Sequence, residues 1–117
     1  MAKLYNETGF SKKKKSDATC RSILEFVRPM VEIYGGKTYE KFTCEEYMEK
    51  PSYGKNYKIK VDAGSEFLHL HLFKPLSGNY QVNFIERGRK KNDDLALPFD
   101  LRNITPSIKA GSFWNYT

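Results

Sequence analysis

Tyr57-Lys58-Ile59-Lys60-Val61-Asp62-Ala63-Gly64, and then Leu68-His69-Leu70-His71-Leu72-Phe73-Lys74, form the stretch that decides the fold. Apolar residues alternate with polar ones at Tyr57, Ile59 and Val61, and again at Leu68, Leu70 and Leu72. A period of two belongs to a strand with one buried face. Upstream, Tyr39 to Glu49 reads as a partner strand, with Lys50-Pro51-Ser52-Tyr53-Gly54 as the exposed tip between them. Proline presets φ for a turn, and glycine accepts positive φ. The expected unit is one long hairpin whose second arm runs from Tyr57 to Phe73.

Before the hairpin, Cys20, Ile23, Leu24, Val27, Met30, Val31 and Tyr34 recur at helical spacing. At 100° per residue they fill a stripe about 120° wide, an amphipathic face made for a core. Ser16 or Asp17 can cap its start, and Gly35-Gly36 can end it. Pro29 lies near the opposite side of the stripe, where water can satisfy the carbonyl of Glu25 that it frees. After the hairpin, Pro75-Leu76-Ser77-Gly78-Asn79 is a turn cluster. A third strand is expected at Tyr80 to Glu86, a charged loop at Arg87 to Asp94, and a short edge strand at Leu95 to Leu101. One helix followed by antiparallel strands is an α+β pattern.

The chain has 117 residues and a formal net charge of +6, so one domain is expected rather than two. The expected bounds are residues 1–101, with a flexible arm over 1–15 and a tail over 102–117. Residues 1–7 have no apolar run of the signal-peptide kind, and no stretch approaches the roughly 18 apolar residues of a membrane span. Cys20 and Cys44 are the only cysteines, too few for a disulfide scaffold, and both fall at core-facing positions. Buried free thiols and a cytoplasmic location are therefore expected. Asn103-Ile104-Thr105 and Asn115-Tyr116-Thr117 are read as chance matches to the glycosylation pattern.

The run Lys12 to Lys15 reads as a solvated linker, since no aromatic interleaving accompanies it; nucleic acid is not the expected partner. His69 and His71 share a face opposite Leu68, Leu70 and Leu72 and are expected to be exposed there, with no third ligand for a metal. Glu45, Glu46, Glu49, Asp93 and Asp94 supply carboxylates without an opposed acid and base. Cys44 alternates with Phe42, a core pattern that does not require a thiol nucleophile. No phosphate loop or nucleotide fingerprint is present, so neither an enzyme nor a cofactor is expected.

The two alternating runs quoted above resemble the central strands of the cystatins, and within that superfamily the stefins. Gly9, Arg28-Pro29 and the tip stand at the stefin intervals, and Lys91-Asn92-Asp93-Asp94-Leu95 through Phe99 is similar to the stefin acidic segment and terminal aromatic. About 90 residues, Gly9 to Phe99, can be laid on the family with one short deletion. The resemblance implies about five antiparallel strands wrapped around one long helix. It also implies a reversible inhibitor of papain-like, cathepsin-type cysteine proteases that fills their cleft with an arm and two hairpin loops. The arm element then corresponds to Gly9 and Phe10, the first loop to Lys50, Pro51, Ser52, Tyr53 and Gly54, and the second to Leu76, Ser77, Gly78, Asn79 and Tyr80. A monomer is implied, with a domain-swapped dimer as a known variation. The stefin loop is normally Gln-Val-Val-Ala-Gly, and only its glycine is retained. The alternative reading is a cystatin fold with lost or changed inhibition that binds another protein through Lys50–Gly54.

Overall fold

Asp17 starts the helix. In the computed structural model, which describes residues 9–97, Asp17 is extended and its Oδ1 accepts the Cys20 N–H at 2.9 Å. The helix, α1, runs Ala18–Gly35 and ends at Gly36, where φ is +63°. There the Gly36 N–H donates to the Ile33 carbonyl and the Lys37 N–H to that of Glu32. This paired closure needs a left-handed residue, which glycine supplies. Pro29 sits inside α1 on the solvent side, as its place on the helical wheel requires. Cys20, Ile23, Leu24, Val27 and Val31 are buried, and Met30 and Tyr34 pack partly against the same core.

The strands are β1 (Lys14–Lys15), β2 (Thr43–Pro51), β3 (Gly54–Asp62), β4 (Phe67–Pro75) and β5 (Gln81–Arg89). They form one antiparallel sheet in the order β1-β2-β3-β4-β5. The expected 57–73 arm is thus two strands. Tyr57, Ile59 and Val61 are odd-numbered, whereas Leu68, Leu70 and Leu72 are even-numbered; an unbroken strand would send the two triplets to opposite faces. The turn at Ala63–Glu66 resets the phase, closed by the Ala63 N–H on the Glu66 carbonyl at 2.9 Å. Val61 then faces Leu68, Ile59 faces Leu70, and Tyr57 faces Leu72. All six are buried on the helix side.

Other boundaries also move. Lys14 and Lys15 pair with Tyr47 and Glu46, and Lys13 bonds Asp94 at 2.6 Å, so the lysine run is not a free linker. The first arm begins as a strand only at Thr43; Tyr39 and Phe42 are buried before it. β5 continues to Arg89, helped by the Gly88 N–H donating to Glu66 Oε1 at 2.6 Å. Leu95–Leu97 is a turn rather than a strand, with the Ala96 N–H on Asp94 Oδ1. The rest of that expected strand and the tail lie outside the described residues.

The histidine expectation is corrected by the segment Lys90–Leu97, which crosses the sheet face away from α1. Met48, Leu95 and Ala96 form a second apolar cluster there, with Phe10 packed on it. Lys60 donates to the carbonyls of Lys91 and Asp93, and lies 3.6 Å from Glu46. Beneath it His69 is only 3% exposed, with Nδ1 3.4 Å from Oε1 of the equally buried Glu86. His71 is half-buried, in contact with Asn56 Oδ1 at 3.2 Å and stacked on Phe84. Alternation identified the face but not what covers it.

Cys20 and Cys44 are joined in a disulfide, with Cα atoms 6.4 Å apart, contrary to the expected free thiols. One lies in the first turn of α1 and the other near the start of β2, so docking the helix on the sheet brings them together. A cysteine count carries no such information.

Two outcomes are expected. Reduction, or the C20A/C44A double substitution, lowers unfolding free energy by about 3 kcal/mol, the chain-entropy scale for a loop of this order; denaturant melts with and without reductant check it. Burial, followed by the charge of Lys60 at His69 and of Lys58 at His71, lowers both imidazoles to about 4. Between pH 6.5 and 4 the unfolded chain then binds more protons than the folded one, so stability falls with falling pH across that window. Urea melts should show this slope, and H69N/H71N should flatten it.

Candidate functional site

Three segments meet at one end of the sheet, and each contact is made by backbone or by a side chain close to it. The arm is tied to the end of β2: the Ser11 N–H donates to the Glu49 carbonyl at 2.8 Å, and the Glu49 N–H donates to Ser11 Oγ at 3.1 Å. This places Gly9 against the Lys50 side chain, where a β-carbon would lie 3.3 Å from Cε. Phe10 lies under the ammonium groups of Lys50 and Lys58, at 5.9 and 5.3 Å from its ring centre. The first turn also lies against the strand that leads into the second. Gly54 pairs with Pro75, and a β-carbon on Gly54 would stand 2.3 Å from the Lys74 carbonyl oxygen and 2.9 Å from Pro75 Cα.

The expected residues divide by burial. Pro51, Ser52 and Tyr53 project at the first tip, and Leu76, Ser77, Gly78 and Asn79 project at the second. Tyr53 is 92% exposed and Leu76 81%, the two most exposed large apolar side chains among the described residues. Tyr53 also holds φ at +51°, a left-handed conformation that costs a non-glycine residue about 1 kcal/mol. Gly9 is exposed, while Phe10, Lys50, Gly54 and Tyr80 are half-buried. Tyr80 is a support: its ring packs 5.7 Å from Phe26 and 6.1 Å from Tyr57. Phe10 plays the same part on the other face through Met48, Leu95 and Ala96.

Residue patterns alone did not single out Lys55 and Lys74. They face each other directly in the β3–β4 register beneath the first tip. Glu49 bonds Lys55 at 2.8 Å and also Lys14, and these two ammonium groups draw its carboxyl below the usual carboxylate range. Their only sequence signal was adjacency to the two turns. Among the described residues no group of three or more His, Cys, Asp or Glu side chains is arranged to hold a metal. What this edge offers is shape: two turns and an arm held together, with Tyr53 and Leu76 exposed at the tips.

The architecture defines the class first, an α+β domain in which one helix lies on a five-stranded antiparallel sheet of hairpins. No family model matches the chain. It is 32% identical over 90 residues to Stefin-3 of Mus musculus, covering 74% of this chain and 87% of that protein. It is 32% identical over 96 residues to Cystatin-A of Homo sapiens, covering 74% and 93%. Cystatin-A of Bos taurus is 30% identical over 92 residues, covering 75% and 94%. The chain belongs to the cystatin superfamily and, within it, groups with the stefins.

Gly54→Ala should be strongly disruptive, because the added carbon meets backbone in β4 and φ is +133°. A loss of about 2 kcal/mol or more is expected, compared with a few tenths for Gly36→Asn at the open helix cap. Thermal melts of the two variants compare them.

Proposed function

We propose that the chain is a reversible, tight-binding inhibitor of papain-like, cathepsin-type cysteine proteases. Membership of the cystatin superfamily supports this class of activity. The observation that carries it to this molecule is the convergence of the arm and two turns at one end, through the Ser11–Glu49 and Gly54–Pro75 contacts. In this reading Gly9 and Phe10 enter one side of the cleft. Lys50–Gly54 and Leu76–Tyr80 enter the other, and no scissile bond is offered to the catalytic thiolate.

A wedge of this kind gains from preorganisation. The first turn is closed by the Ser52 N–H on the Gly54 carbonyl and backed by β4, so little freedom is lost on docking. Tyr53 and Leu76 then supply the apolar contacts, in place of the paired valines of the stefin loop. The chain acts as an inhibitor and not an enzyme in this proposal, with no cofactor, and as a monomer able to exchange a hairpin into a dimer. A cytoplasmic location is part of the same reading. The Cys20–Cys44 bond bears on it, since cytosolic thiol pools keep most such pairs reduced.

A second reading rests on the same tip. Tyr53 is bulkier than the family alanine and stands in a strained backbone conformation, which suits a cleft other than that of the family's usual targets. The fold would then serve as a protein-binding module through Lys50–Gly54.

Titrating active papain and a cathepsin-type protease with the protein separates the two. Stoichiometric loss of activity is expected, and Tyr53→Ala should raise the inhibition constant tenfold or more. Full protease activity at micromolar protein would replace the first reading with the second.

A further inference from the structure

The same edge is rich in lysine and poor in acid along its two hairpin segments. Residues 49–58 and 73–82 contain four lysines, Lys50, Lys55, Lys58 and Lys74, against the single acid Glu49. That glutamate is already shared between Lys14 and Lys55. At the other end of the sheet several cations have acidic partners: Lys41 with Asp62 at 2.8 Å, Lys37 and Arg87 with Glu66, and Arg89 with Asp93.

Lys50 and Lys74 differ from those cations in what holds them. Lys50 lies over the Phe10 ring and Lys74 over the Tyr80 ring, each 5.9 Å from the ring centre, and neither has an acidic partner among the described residues. An aromatic face positions an ammonium group without neutralising it. Lys74 also stands directly across from Lys55, an arrangement of like charges that disfavours the strand pair. Lys50 is on the sheet face that carries Phe10, and Lys74 is on the face that carries Tyr80 and α1. The wedge is therefore basic on both sides of its apolar tips.

We infer that this edge selects papain-like proteases whose cleft is rimmed by aspartate and glutamate, with Lys50 and Lys74 steering the approach. The inference rests on the inhibitory reading proposed above and adds the chemistry of the partner. Charges at the border of an interface act mainly on the association rate, and their effect fades as salt shortens the Debye length to about 10 Å at 0.1 M.

The test is stopped-flow association with two papain-like proteases, one with an acidic cleft rim and one with a neutral or basic rim, across a range of ionic strength. Association with the acidic enzyme is expected to be at least tenfold faster at low salt and to slow steeply as salt rises. K50E/K74E should lose most of that salt slope, and K50R/K74R should keep it. Inhibition of both enzymes with equal, salt-independent rates would overturn the inference and leave the inhibitory reading standing. A K50E/K74E variant with the wild-type salt slope would also overturn it. No inhibition of either enzyme would overturn the inhibitory reading, and this inference with it.

Discussion

The structure depends on burying the apolar stripe of α1 against one face of the sheet. Neither partner is stable alone: a single amphipathic helix in water is marginal, and a sheet with an uncovered apolar face invites association. Cys20, Ile23, Leu24, Val27 and Val31 meet Cys44, Tyr47, Ile59, Val61, Leu68, Leu70, Leu72 and Ile85, all in one cluster. Two further ties fix the docking. The Asp17 carboxylate that caps α1 also accepts the Tyr47 hydroxyl at 2.7 Å, and the disulfide joins the first turn of α1 to β2. Those two hydrogen bonds hold the Asp17 carboxyl below its ordinary value, with the Cys20 N–H first. One side chain thus ends the free backbone of the helix and sets its position on the sheet.

That division of labour explains what was legible in the sequence. The helix was legible because its signals are local: a 3.6-residue stripe, an aspartate at the cap and a glycine at the close. The apolar alternation of β3 and β4 was equally local. Their separation was also written, in the change of parity between Val61 and Leu68, yet two runs of the same composition read as one until the turn is seen. β1 is the opposite case. Two lysines have no period of their own, and they are a strand only because β2 offers them a partner.

The parts that were not legible all depend on one segment covering another. His69 and Lys60 occupy positions that alternation assigns to the face opposite the core, and both are buried because Lys90–Leu97 returns across them. The disulfide depends in the same way on the docking of α1. At the candidate site, resemblance supplied twelve candidate residues, but residue patterns did not say which are tips and which are supports. Phe10 and Tyr80, named only as arm and second-loop residues in the sequence, serve as braces in the structure.

This mixture has a mechanical consequence for the edge. The first turn is backed by β4 through Gly54, and the arm is backed by β2 through Ser11; β4 and β2 are both partners of β3. Displacement of one tip is therefore resisted through the sheet by the others. The exposed residues can differ in character, since Pro51, Ser52 and Tyr53 stand where the stefin loop has two valines and an alanine, while Gly54 keeps its backbone contact with β4. Glycine at 54 cannot vary in the same way, because its missing side chain is the space in which the second hairpin sits. The retained glycine in an otherwise altered tip is what such a constraint produces: the surface chemistry is open to change, and the close approach of the two turns is not.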